Sequence, residues 1–223
     1  MKYLLLGCCL LAAILPLHAQ DINNVPAPSS FAEDYRAALI AYKNGEYKTA
    51  REEALKAQKL KAGDPKLKIL QGRIALELGE YPLAEKLVKA GLEAAPDYTP
   101  GYEYLGDVYF RQRQYIPAMD AYQQFLKLRP KDPDGVLKML YCHVGRNDLS
   151  GAGKQLILLD QFSDLHPGYY FGKAAIAQAS KKVDAVDKDL QLARTMYGND
   201  TFATHMKTFL ILFPAPKPVE EKK

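Results

Sequence analysis

A 34-residue period, running from residue 31 to residue 200 without insertion or deletion, constrains this chain more than any other feature. One position of the period holds Tyr47, Tyr81, Tyr115, Leu149 and Val183; three residues later stand Ala50, Ala84, Ala118, Ala152 and Val186. Another position, earlier in each unit, holds Ala38, Gly72, Gly106, Leu140 and Ala174. Small residues recurring beside aromatics describe two helices in close approach, with the large side chains filling the space on either side. Leu140 and Val186 depart from the small-residue rule. A period of this length means stacked units, none of which can bury its apolar face alone. No alternating run of strand length bounded by turns competes with this reading.

The third unit, residues 99–132, is the most regular. It carries Tyr102, Leu105, Gly106 and Tyr109, then Ala118, Tyr122 and Pro130. This spacing resembles the tetratricopeptide (TPR) family pattern of aromatic-x2-Leu-Gly-x2-Tyr, Ala-x3-aromatic and Pro, with Tyr102 in place of the usual Trp and Tyr122 in place of Phe. Pro130 removes a backbone donor and ends the second helix. The resemblance implies an all-α fold, a right-handed αα superhelix of five helix hairpins closed by a C-terminal capping helix.

Helix-end signals agree with the period. Ser30 followed by Glu33 forms a capping box. Asp64-Pro65, Thr99-Pro100, Asp132-Pro133 and His166-Pro167 each place a capping residue before a proline that needs no donor at a first helical position. Gly45, Gly79, Gly145 and Gly198 fall at helix ends, where a left-handed residue closes the last turn. These signals predict pairs at 31–44 with 47–61, 65–78 with 81–95, 100–112 with 115–128, 133–145 with 149–164, and 167–180 with 183–197. The repeats span 31–64, 65–98, 99–132, 133–166 and 167–200. A last helix over 201–213, with Phe202, Met206, Phe209, Leu210 and Phe213 at helical spacing, is expected to cover the apolar face of the fifth pair. Residues 20–30 read as a linker and 214–223 as an extended Pro-rich, charged tail.

The first 19 residues carry Lys2, an apolar run from Tyr3 to Leu15, and an exit at Leu17 and Ala19. That is the form of a secretory signal peptide, and the run is shorter than the ~20 residues a spanning helix needs. The chain is therefore expected to be exported, periplasmic or secreted, and not an integral membrane protein. A lipoprotein reading at Cys8 would leave almost no apolar segment. Beyond the signal only Cys142 remains, so no internal disulfide is available and the thiol reads as a small buried hydrophobe. A formal net charge of +4, with mixed rather than blocked signs, lacks the electrostatic footprint of nucleic-acid binding.

Fragments that look like chemistry have simpler accounts. Gly151-Ala152-Gly153-Lys154 matches part of a phosphate loop, but Gln155 stands where the magnesium-binding hydroxyl belongs and no strand precedes it. Asp132, Asp134 and Gly135 lack the remaining ligands of a calcium loop. His143, His166 and His205 lie far apart in sequence without a metal-binding spacing, and Asn199 of Asn199-Asp200-Thr201 reads as a helix cap. No nucleophile elbow or Cys-His pattern occurs. The sequence predicts no catalysis, no metal and no cofactor.

The TPR resemblance implies a concave groove lined by positions five, nine, twelve and thirteen of each repeat. Here these are Tyr35, Leu39, Tyr42 and Lys43; Ile69, Arg73, Leu76 and Glu77; Glu103, Asp107, Phe110 and Arg111; Leu137, Tyr141 and Val144; and Phe171 and Gln178. The Lys and Asn of grooves that clamp C-terminal carboxylates are missing. Such a lining suits a protein or peptide segment anchored in aromatic pockets and oriented by Arg73, Arg111, Glu103 and Asp107. The expected function is a non-enzymatic scaffold or adaptor in the cell envelope. The alternative is a binder of cell-wall-derived or other small or polymeric ligands stacked on Tyr35, Tyr42, Tyr141 and Phe110. Self-association through Cys142 or incomplete end caps is a third possibility. The competing account of these aromatics is that they fill space between repeats.

Overall fold

The computed structural model of the chain describes residues 29–214. The signal segment, the linker before residue 29 and the tail beyond residue 214 lie outside these described residues. Among the described residues ten helices follow one another: α1 (Phe31–Lys43), α2 (Tyr47–Leu60), α3 (Pro65–Glu77), α4 (Tyr81–Ala94), α5 (Thr99–Arg111), α6 (Tyr115–Leu128), α7 (Pro133–Gly145), α8 (Leu149–Asp160), α9 (Gly168–Ala179) and α10 (Val183–Leu212). No strand occurs among the described residues. Odd-numbered helices of successive pairs lie side by side, α1 on α3, α3 on α5 and α7 on α9, and so line the inner, concave surface.

Local chemistry sets the helix starts. Ser30 and Glu33 form the reciprocal capping box, and Asp64 and Asp132 accept from the amides of Leu67 and Gly135 ahead of Pro65 and Pro133. Two starts differ from expectation. Thr99 is the first helical residue of α5 instead of its cap. At α9, His166 reaches over Pro167, and its Nδ1 accepts from the Gly168 amide at 3.0 Å. Helix α8 ends at Asp160, short of 164, because Phe162 and Ser163 bond back three residues to Leu159 and Asp160 and tighten the chain into turns.

The turns inside the hairpins repeat a left-handed residue every 34 positions: Gly45, Gly79, Arg113, Asn147 and Lys181. Gly145 is therefore not the closing residue of α7. It is small for another reason, since a Cβ there would fall 2.4 Å from the Tyr115 ring. The three non-glycine residues each carry roughly 1–2 kcal/mol of backbone cost, which the packing around them must offset.

Within the hairpins the glycines of the first helix lie directly against large side chains of the second. A Cβ on Gly72 would meet Val88 at 2.6 Å, and one on Gly106 would meet the Tyr122 ring at 2.2 Å. Tyr122 is fully buried and its hydroxyl donates to Asp107 Oδ1 at 2.7 Å. Leu140, too large for its position, finds room in the next repeat. It leans toward Gly172, where a Cβ would come within 2.8 Å of Leu140 Cδ1. Cys142 is fully buried and burial pushes its thiol well above the usual range, so it offers no surface thiol for pairing with another copy.

Helix α10 contains a break at Gly198, with φ 79° and ψ 167°. Residues 183–197 complete the fifth hairpin, and 199–212 form the last helix. This helix packs on the fifth pair, with Phe202 and Phe209 against Phe171 at ring distances of 5.5 and 6.1 Å. It also reaches farther than an end cap, touching α7 through His205 and bordering α5 through Thr208 and Ile211.

Candidate functional site

The concave surface divides into two halves. Over α1, α3 and the start of α5 it is open. Tyr35, Leu39 and Tyr42 are half-buried and Lys43 is exposed. Arg73 lies between two tyrosine rings, its guanidinium carbon 4.3 Å from the Tyr42 centroid and 3.9 Å from that of Tyr104. Such contacts are worth about 0.5–1 kcal/mol each at accessible sites. Burial pushes the Tyr104 phenol up to about 12, against the opposing pull of Arg73, so it stays neutral.

Apart from exposed Lys43, the other charges of this lining are paired. Arg111 bonds Glu77 at 2.7 Å. Lys138 bonds Glu103 at 2.7 Å and Asp107 at 2.9 Å. Burial opposes the charge on Lys138, but Asp107 and Glu103 outweigh it and hold the ammonium above its usual range. Ile69 and Leu76, expected in the groove, are 1% and 5% exposed. They are core residues because Ile69 packs with Val88 and Leu92 of α4 and with Tyr102 and Leu105 of α5, and Leu76 with Ala84 of α4 and Val108 of α5.

The second half is closed. Phe110, Leu137, Tyr141, Val144 and Phe171 belong to the largest apolar cluster, which also contains Phe209 of the last helix. Tyr141 and Phe171 are fully buried and Phe110 is 4% exposed. The chain's own terminal helix closes this side, with Phe209 against Phe171 and Thr208 and Ile211 beside Phe110. Tyr141 and Phe110 therefore offer no stacking face to a small ligand, and Tyr42 already carries Arg73 on its ring. Gln178 remains exposed at the rim.

The fold also joins residues that sequence spacing kept apart. His166 Nε2 and His205 Nε2 lie 3.1 and 3.2 Å from Asp134 Oδ1, and the two imidazoles meet edge to face at 5.1 Å. Hydrogen bonds at the far ring atoms define the chemistry. His166 Nδ1 accepts from the Gly168 amide, so its proton sits on Nε2 and is donated to Asp134. His205 Nδ1 faces the Thr201 carbonyl at 2.9 Å and must donate to it. A neutral His205 would then present a lone pair to a carboxylate, whereas an imidazolium donates at both ends. Burial opposes that charge, but the bonds to Asp134 and Thr201 prevail and raise the His205 pKa above its ordinary value. Hydrogen bonds from His166 and His205 hold the Asp134 carboxyl well below the usual range. As metal ligands the three fit poorly, because His166 would need to lose the Nε2 proton while its Nδ1 serves an amide. The arrangement is an ionic clasp between α7, the α8–α9 turn and the last helix.

His143 forms a separate pair, its Nδ1 2.8 Å from Asp148 Oδ2. Asn199, expected to cap a helix, instead accepts from Arg194 Nε at 2.8 Å. On the outer side a cleft of about 300 Å³ opens between α2, α3 and α4, lined by Leu55, Gln58, Gln71, Leu83 and Leu87. Sequence reasoning missed Tyr104, Lys138 and the clasp. Glu77 and Arg111 stand one period apart, so scanning for opposite charges at that spacing finds the pair; nothing in the spacing of Asp134, His166 and His205 marks the clasp.

No known family profile matches the sequence, and no curated protein does. Solved structures do match. A thermophilic TPR protein of Thermus thermophilus superposes with a TM-score of 0.67 at 16% identity, covering 82% of this chain and 100% of that one. PilW, a widely conserved type IV pilus biogenesis factor, gives 0.66 at 15% identity over 81% and 84%. YrrB, a TPR protein with an unusual peptide-binding site, gives 0.55 at 16% identity over 80% and 92%. The chain has the fold of the tetratricopeptide-repeat proteins, an all-α superhelix of stacked hairpins. No helix among the described residues is long and apolar enough to cross a membrane.

Proposed function

We propose that this chain is a non-enzymatic scaffold of the cell envelope that holds a segment of another protein in the open half of its concave groove. The observation that carries the reading is the surface around Arg73, where half-buried Tyr35, Leu39, Tyr42 and Tyr104 give an apolar, largely aromatic floor with a fixed cation in it. A floor of this kind suits an extended segment whose apolar side chains settle between rings while its backbone carbonyls or a carboxylate meet the guanidinium. The similarity to YrrB, whose described feature is a peptide-binding site, supports the mode of binding, and the similarity to PilW supports an envelope setting. The signal-like segment 1–19 supports export. The repeats are proposed to act as one array over residues 31–213.

A crosslinked pull-down from native envelope extract tests this, with residues 20–223 as bait. A partner retained by the parent and by Leu83→Ser in the outer cleft, but lost with Tyr35→Ala/Arg73→Gln, supports the groove. Loss with Leu83→Ser and retention by the groove variant moves the site to the outer face. Heat of binding with cell-wall fragments at millimolar concentration, in the absence of any protein partner, favours a small-ligand binder instead.

A further inference from the structure

Between the earlier hairpins the chain uses four residues to turn from an even-numbered helix into the next odd-numbered one: 61–64, 95–98 and 129–132. After residue 197 a single glycine makes the turn. Its φ and ψ of 79° and 167° lie in a region open essentially to glycine alone. A Cβ at Gly198 would meet nothing within 4 Å, so only the backbone demands glycine here. Both sides of the hinge are anchored, by the Tyr197 hydroxyl donating to the Ser163 carbonyl and by Arg194 donating to Asn199.

Past this hinge the last helix lies in the groove as a bound helix would. Phe202, His205 with Met206, and Phe209 fall at i, i+3 or i+4, and i+7, the anchor pattern of an amphipathic helix seated in an apolar groove. Phe171 receives Phe202, His205 and Phe209 together, and Asp134 receives His205. The seat is imperfect. The Tyr141 hydroxyl, fully buried in the cluster that the last helix joins, has no hydrogen-bond partner among the described residues, an unmet donor of the kind that costs stability. A void of about 40 Å³ also remains where Thr208 and Ile211 border Asp107, Phe110 and Arg111.

We infer that helix 199–212 is an exchangeable occupant of the groove, and that this half accepts in its place an amphipathic helix from a partner protein with aromatic anchors at the same spacing. The inference rests on the proposed groove function, but it concerns the covered half: failed exchange would leave the open half standing, and a failed pull-down would leave exchange standing. Gly198 supplies the hinge, and the Asp134–His205 pair supplies the hold. A partner helix with an acceptor opposite Tyr141 gains a hydrogen bond that the resident helix lacks.

The probe is a fluorescein-labelled peptide of residues 199–214, followed by anisotropy against the full chain. Gly198→Ala denies the chain its kink; His205→Ala frees the resident helix from Asp134 and leaves every groove residue in place. Each variant is expected to bind the peptide about tenfold tighter than the parent, because more of the population has an empty groove. A Gly198→Ala chain that dimerises by exchanging last helices supports the inference equally, since the site has then taken a helix from another chain. If neither variant binds the peptide better than the parent, the helix is a fixed part of the core and the inference is wrong.

Discussion

The two halves of the groove are built from the same repeat positions and end in opposite states. Position nine holds Leu39 and Arg73 in the open half and Tyr141 in the closed one; position five holds Tyr35 in the first repeat and Phe171 in the fifth. Tyr35 is half-buried, Phe171 fully buried. Repeat position alone does not account for the difference. What closes the second half is a helix outside the five repeats, turned back by one glycine, whereas Ile69, at position five of the open half, is buried by its own neighbours Val88 and Leu92. A repeat array thus decides which side chains face inward, and its ends decide which of them a partner can reach.

The largest expected effect breaks this comparison directly. Phe171→Ala removes a ring enclosed by Phe202, His205 and Phe209 and is expected to cost about 3–5 kcal/mol in denaturant unfolding. Tyr35→Ala, at the matching position of the open half, is expected to cost about 1 kcal/mol. Equal losses would mean that the last helix does not cover the second half in solution. The next largest effect tests the period that both halves share. Ala118 has no exposed surface, so Ala118→Leu is expected to overpack the third hairpin by about 1–3 kcal/mol. Gln124→Leu, on an exposed position of the same helix, is expected to leave the melting temperature nearly unchanged.

The repeating parts of the fold were legible in the sequence, and the reason is physical. Helix existence and contact positions repeat, so Gly72, Gly106 and Ala118 announce themselves by phase. Leu140 breaks the rule without a local signal, because its compensation is Gly172 in the next repeat. The closed half depends on events that do not repeat. Gly198 reads correctly as a helix end, yet its φ and ψ, which set where the next helix goes, follow from tertiary contacts such as Tyr197 on Ser163. Phe110, Leu137 and Tyr141 belong to the apolar cluster that Phe209 of that next helix also joins. His205 of the same helix meets His166 at Asp134.

A smaller effect should separate the halves by pH. His205 faces Asp134, His166 and, farther off, the cation of Lys138. Its pKa is raised in the folded chain, so its stabilisation is complete below the unfolded value of about 6.5 and disappears as pH rises through the folded value. Asp134 is shifted downward, so its contribution is complete above about 3.9 and fades only as pH falls through the depressed value. The clasp is therefore strongest between about pH 4 and 6.5. Amide exchange in 199–212, corrected for intrinsic rate, is expected to accelerate relative to α1–α4 as pH passes from 6 to 9. His205→Gln should remove that pH dependence and leave the exchange of α1–α4 untouched. A parent whose two halves loosen together would place the titrating group elsewhere.

The smallest effect belongs to the open half. Arg73→Met keeps much of the apolar stem and removes the cation between Tyr42 and Tyr104, so about 1 kcal/mol of stability is expected to go. The sharper readout is the phenol. Arg73 pulls the Tyr104 pKa down while burial pushes it up to about 12, so losing the cation should drive the ionisation still higher in a spectrophotometric titration. The same substitution should leave peptide exchange in the closed half unchanged, because none of the residues that seat the last helix touches Arg73. A variant that altered both would mean that the floor around Arg73 and the covered surface beyond Phe110 respond as one unit, and the division of the groove would then lie in occupancy alone.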